Sequence, residues 1–335
     1  MYKHGLFQIK YAFSANLQSH LPFSYNTPIY TFTMKNKGYF LTALSGILFG
    51  FTPILFSFAI RYGTNTYTNT WIRGVIVLLV SLILSRFRKT ALPLQGPELS
   101  LLFLSGFCCL FTILLLGSSY SHIGVGMATS LHFLYPVFIS ILLAVFWKNR
   151  MSLQQIIALV LSVIGMAFLA GTGETGSLAG ILLALCSGLT HAIYMILLDR
   201  TVLKDLPAET VLLFTGIVIS IALFFGSFLF PDTLRLNLPL PAYLFMILYG
   251  LCAYAGHAIL KKGIAIIGSQ PAGLLSMLEP VSSIFFGILF LNETRTVAKS
   301  IGIVILLVSI LLVLLDRSDR QYRRDNDHNY YKYNH

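Results

Sequence analysis

The sequence predicts an all-α polytopic membrane protein whose ten transmembrane helices form two inverted five-helix repeats, and three observations predict it. Apolar residues make up 56% of the 335-residue chain and charged residues only 10%, against about 25% charged in soluble domains. The apolar residues gather into ten runs near the length of about 20 residues that crosses a bilayer. Lys and Arg concentrate at alternate ends of those runs. A soluble core would leave too little polar surface to cover so much apolar side chain, whereas lipid covers it directly.

Taken in order, residues 1–36 are rich in Tyr, Phe, Ser and Asn. They contain no run long enough to span and no signal-peptide core near Met1. They read as a disordered cytoplasmic extension, with residues 1–33 either a tail or an upstream translation artefact ahead of Met34-Lys35-Asn36-Lys37. Residues 37–172 form the first repeat, with apolar segments at 38–60, 65–85, 98–117, 122–146 and 152–171. Residues 173–315 form the second, with segments at 177–198, 208–230, 240–260, 269–291 and 297–315. The last is free of charge only over 300–315, so Lys299 must snorkel to the interface. Short connectors carry turn chemistry: Gly171-Thr172-Gly173-Glu174-Thr175-Gly176, Pro231-Asp232 and Arg61-Tyr62-Gly63. Residues 316–335 make a polar cytoplasmic tail whose composition opposes folding.

Charge sets the orientation. With the N-terminus in the cytoplasm and ten alternating crossings, 18 of the 23 Lys and Arg fall inside and four outside. The four are Arg61, Arg235, Arg295 and Lys299, and Arg73 lies within a span. That bias places both chain ends in the cytoplasm. Adding or dropping one span scrambles it. The net charge of +11 therefore belongs to membrane orientation. A nucleic-acid partner would need a basic stripe, and none is present.

An internal repeat appears at an offset of 144 residues. Leu104-Ser105-Gly106-Phe107-Cys108 lies over Leu248-Tyr249-Gly250-Leu251-Cys252, and Ile123-Gly124 over Ile267-Gly268. Ala128, Leu131, Leu134 and Pro136 lie over Ala272, Leu275, Leu278 and Pro280. A looser match sets Gly50-Phe51-Thr52 on Gly188-Leu189-Thr190. Five spans separate the copies, and five is odd, so the second copy points the opposite way. Two such halves rocking about a midplane site are the physical basis of alternating access.

Within the spans, Pro53, Pro136 and Pro280 each remove a backbone donor and free a carbonyl. A bilayer tolerates this only where protein or water satisfies the group, so kinked helices around a cavity, or simple packing kinks, are expected. Glu279 stands mid-span, where a carboxylate costs about 2.5–3.5 kcal/mol on insertion scales. It fits a proton site, a ligand for a cationic substrate, or a structural acceptor for freed backbone donors; its counterpart in the first repeat is Tyr135. Arg73, a third of the way along its span, either meets an anionic group inside or snorkels outward. His132, His191 and His257 lie one per span, so each is an interhelical hydrogen-bonding residue or lines a pathway; none forms a metal cluster by spacing. Gly46-xxx-Gly50 permits close helix packing. Cys108, Cys109, Cys186 and Cys252 lie in apolar runs and read as small core residues. The chain contains no G-x-x-x-x-G-K-[ST], H-E-x-x-H or G-x-S-x-G, so neither a catalytic residue nor a cofactor is expected and a gradient or partner must supply energy for uphill work.

These features resemble the drug/metabolite transporter superfamily, specifically its ten-span EamA-type transporters. The residues that carry the resemblance are Leu278-Glu279-Pro280-Val281 through Leu291-Asn292-Glu293, the echo Leu134-Tyr135-Pro136-Val137-Phe138, Trp71-Ile72-Arg73, and the small residues around Gly165 and Gly302. The match spans about 38–315. Lys148-Asn149-Arg150 departs from the family's usual glutamate, and no arginine in the seventh segment answers Arg73. The resemblance implies two EamA domains, a central cavity and, often, export of metabolites or amino acids. The expectation is thus a secondary transporter in the cytoplasmic membrane of a bacterium. A small molecule is its substrate, a proton or other ion its coupling partner, and a homodimer an assembly left open. The alternatives are an intramembrane enzyme acting on a lipid-linked substrate, which lacks an acid–base or metal constellation here, and a non-transporting membrane module.

Overall fold

A computed structural model describes residues 28–90, 96–170, 177–229, 233–292 and 296–316. The disorder expected for 1–27 and for most of 316–335, and Glu293, lie outside the described residues. The described chain is helical, and ten helices are long and apolar enough to cross a membrane. They are α1 Pro28–Arg61, α2 Thr66–Arg88, α3 Pro97–Ser119, α4 Val125–Trp147, α5 Leu153–Ala170, α6 Leu178–Arg200, α7 Ala208–Leu229, α8 Leu240–Ile267, α9 Ser269–Leu291 and α10 Val297–Leu315. Local chemistry explains the ends. Asn65, Ser177 and Thr296 each accept a backbone N–H at the start of α2, α6 and α10, which satisfies a donor the first turn cannot. Pro97 opens α3, where its missing N–H removes nothing.

Two helices run further than the apolar pattern suggested. α1 begins at Pro28 rather than near residue 38. α8 continues past residue 260 to Ile267, carrying Lys261 and Lys262. Lys261 is buried, and its Nζ donates to the carbonyls of Lys204, at 2.9 Å, and Leu206. The turn between α6 and α7 thus supplies the oxygens that let an ammonium end an apolar helix.

The residues matched by the internal repeat occupy matching places. Gly106 of α3 lies against Val218 of α7, and Gly250 of α8 against Ile76 of α2, each so close that a Cβ would stand 2.9 and 2.7 Å from the neighbour. Gly50 of α1 meets Glu279 and Ser282 of α9, whereas Gly188 of α6 meets the His132 carbonyl of α4. Gly165 and Gly302 let α5 and α10 approach each other. Lys148 and Asn292, 144 residues apart, both end their helices in the left-handed region, at φ 53° and 55°. The same small residues thus mediate corresponding approaches, α3 to α7 and α8 to α2, and α1 to α9 and α6 to α4.

Polar contacts also sort the helix ends. The ends of α2, α4, α6 and α10 pair with the starts of α5, α7 and α9: Arg88 with Glu209, Asn149 with Gln270, Ser152 with Asp316, Asp199 with Ser269. Asn65, just ahead of α2, reaches the Thr233 carbonyl between α7 and α8. Helices that cross in alternation place the first set together at one end and the second at the other, and they do.

Candidate functional site

Two broken helices build the site. α4 consists of α4a, Val125–His132, and α4b, Tyr135–Trp147; α9 consists of α9a, Ser269–Leu275, and α9b, Leu278–Leu291. Gly124 and Gly268, matched in the repeat, stand at the N-caps of α4a and α9a. At the breaks the ladder tightens: Leu134 N–H donates to Leu131 O at 3.2 Å, and Glu279 N–H to Ser276 O at 2.9 Å. Pro136 and Pro280 then sit in the first turn of α4b and α9b, positions where a proline sacrifices no helical bond. They begin new helices rather than bend continuous ones. Pro53 differs, because α1 runs through it. The carbonyl it would leave open belongs to Phe49, and Thr52 Oγ donates to that oxygen at 2.7 Å. The Pro53 ring itself is exposed.

The three histidines, isolated in sequence, meet in space through two tyrosines. Ring centroids lie 5.5 Å apart for His132 and His191, 4.6 Å for Tyr135 and His191, 6.0 Å for His191 and Tyr194, and 6.1 Å for Tyr194 and His257. Phe49 of α1 closes the row edge-on to His257 at 4.7 Å. The row joins α1, α4, α6 and α8. No group of three metal-ligating side chains is assembled among the described residues.

Hydrogen bonds fix the tautomers in the neutral state. Ser187 Oγ has one proton and gives it to Ala184 O at 2.6 Å. It must therefore accept from His132 Nδ1, 2.9 Å away. His257 Nδ1 lies 2.9 Å from the Ala253 carbonyl, which only accepts. Both imidazoles then carry their free lone pair on Nε2. The Tyr194 hydroxyl is buried without a partner among the described residues, whereas Ser276 Oγ, which gives its proton to Ala272 O, is placed to accept from the Tyr135 hydroxyl.

Glu279 is half-buried at the start of α9b, within electrostatic range of Tyr135, Tyr120 and Arg73. Burial pushes the Tyr120 phenol, just past α3, up to about 12, so it stays a neutral hydroxyl. Arg73 turns inward rather than toward an interface. Its Nη1 lies 3.5 Å from Tyr249 Oη, its guanidinium carbon 5.6 Å from the Tyr249 ring, and its Nε is buried without a partner. No ion pair joins Arg73 and Glu279 among the described residues. The interior thus offers one carboxyl, one guanidinium, tyrosine hydroxyls and imidazole acceptors. Sequence reasoning missed Tyr194, Ser187 and Tyr249. Tyr194 had a signal, being three residues after His191 on one helix face; Tyr249 had none, because it meets Arg73 only across helices.

The model of the EamA-like transporter family matches residues 36–171 and 178–315. An uncharacterized transporter of Synechocystis sp. is 25% identical over 215 residues, covering 62% of this chain and 64% of that protein. An uncharacterized transporter of Archaeoglobus fulgidus is 26% identical over 182 residues, covering 54% and 63%. The aligned stretches thus span under two thirds of the length of both relatives. A crystal structure of a protein 16% identical in sequence shares the fold with a TM-score of 0.70, over 83% of this chain and 97% of that one.

Proposed function

Because this chain belongs to the EamA-like transporter family, and is accordingly a multi-pass membrane transporter, we propose that it exports small metabolites or amino acids by alternating access. The observation that carries the reading is the meeting of Arg73, Glu279 and the histidine–tyrosine row beside the two helix breaks. A charge inside a bilayer is expensive, so ionisable groups kept there mark a substrate or ion path. Here a carboxyl and a guanidinium share one interior without an ion pair between them among the described residues, an arrangement suited to a substrate that carries both charges. Broken helices suit such a path too, since irregular backbone at membrane depth lines a cavity.

The two family matches, at 36–171 and 178–315, support two domains of five spans each. An odd number per domain inverts the second, which is the symmetry alternating access uses. The partition of basic residues supports cytoplasmic ends in the inner membrane of a bacterium, and the resemblance to EamA-type exporters supports outward direction. Glu279 serves as proton site or substrate ligand, and Arg73, Tyr135, His132, His191 and His257 line the path.

The test is transport by Glu279→Gln in proteoliposomes, with the substrate first found by comparing media from cells with and without the gene. The variant should lose at least about tenfold in rate, the scale of one charge-assisted contact, and lose its pH dependence. Unchanged, still pH-dependent transport removes Glu279 from the mechanism.

A further inference from the structure

Around the start of α9a the structure gathers polar side chains from five helices. Asp199, buried in the last turn of α6, accepts from Ser269 N at 3.0 Å and Ser269 Oγ at 2.8 Å. Arg200 Nε stands 3.0 Å and Lys204 Nζ 3.9 Å from the same carboxylate. The next residue, Gln270, accepts from Asn149 Nδ2 at 2.9 Å, just past α4b, and reaches Gln155 of α5 at 3.5 Å. Gln155 N–H donates to Ser152 Oγ at 3.1 Å, and Ser152 Oγ donates to Asp316 Oδ2 at 2.7 Å, at the end of α10. Every residue of α9a is buried.

Among the described residues, the start of the matched helix has no buried carboxylate of this kind. At the offset of 144, Ser269 and Gln270 correspond to Val125 and Gly126, which have no polar side chain. Gly124 caps α4a without a side-chain bond, and Val125 is 60% exposed. At the offset of 138 that sets Gly188 on Gly50, Asp199 corresponds to Arg61, which lies over the Phe58 ring instead. Among the described residues the two short helices therefore differ in how their starts are tied.

We infer that Asp199, Ser269, Gln270 and Asn149 form a latch that closes the transporter at the end bearing Lys148 and Arg200, with no equivalent among the described residues at the end bearing Val125. The inference rests on the alternating-access reading above. Opening at the latched end breaks hydrogen bonds to a buried carboxylate; opening at the other breaks none of that kind among the described residues. The latch makes the state closed at Lys148 and Arg200 the resting one, and passage requires the substrate to offset its release.

Labelling the full-length protein tests this without a substrate. In a background with the four cysteines replaced by serine, Ala272→Cys reports on α9a, one turn inside the latch. A membrane-impermeant maleimide is applied to vesicles of either orientation. Asp199→Ala should raise the labelling rate about tenfold or more from the face bearing Lys148 and Arg200, the shift expected from losing bonds to a charged group. Ser269→Ala, a gentler change should Asp199→Ala fail to fold, should raise it from the same face by a smaller factor. An unchanged rate in both variants, or a rise only from the opposite face, overturns the latch. Labelling that rises while Glu279→Gln transports normally removes the proposed site and leaves the latch standing.

Discussion

At Tyr194 a buried hydroxyl is left without a partner among the described residues. Such a group costs about 1–3 kcal/mol in desolvation, so its persistence points to a partner that arrives with the substrate. Tyr194→Phe should therefore unfold in detergent at a temperature no lower than the natural protein while transporting more slowly; a clear fall in unfolding temperature would mean that the hydroxyl has a structural bond. Glu279 and Arg73 stood out in the sequence because a charge in an apolar run needs no alignment to be noticed. The tautomers of His132 and His257 did not, since they depend on Ser187, 55 residues away from His132, and on the helical register of Ala253.

Among the elements, α4 and α9 show what sequence periodicity cannot separate. Both read as single apolar segments, because a break of two residues leaves the hydrophobic run intact. Pro136 and Pro280 announced a disturbance, but whether a proline bends a helix or starts one depends on the hydrogen bonds of the turn before it. Pro53 answers oppositely because Thr52 satisfies the Phe49 carbonyl. Helix approach is equally specific. A Cβ on Gly50 would stand 2.5 Å from Ser282 Cβ and 2.8 Å from Glu279 O, and backbone cannot swing aside. Gly50→Ala should destabilise the protein by about 1–3 kcal/mol, as overpacking does, and displace Glu279 with it. Thermal unfolding together with transport rate measures both; a variant as stable and active as the natural chain would show that α1 and α9 stand further apart.

For the whole molecule, ten alternating crossings put the ends of the even-numbered helices on one face, and the polar contacts of Arg88, Asn149, Asp199 and Lys261 gather there. Asn36→Cys and Asp325→Cys, each in a cysteine-free background, should both react with an impermeant maleimide from that face; reaction from opposite faces would require an odd number of crossings. What the sequence determined by itself was the class of solvent, the number of crossings and the residues too costly for lipid. Each of these follows from composition and spacing along the chain, which lipid reads one segment at a time. Only the tertiary structure decided that three distant histidines form one row, that two helices are broken, and that the start of α9a is tied to a buried carboxylate. Those depend on distances between segments, and a hydrogen bond exists or fails over a few tenths of an ångström that no linear pattern records.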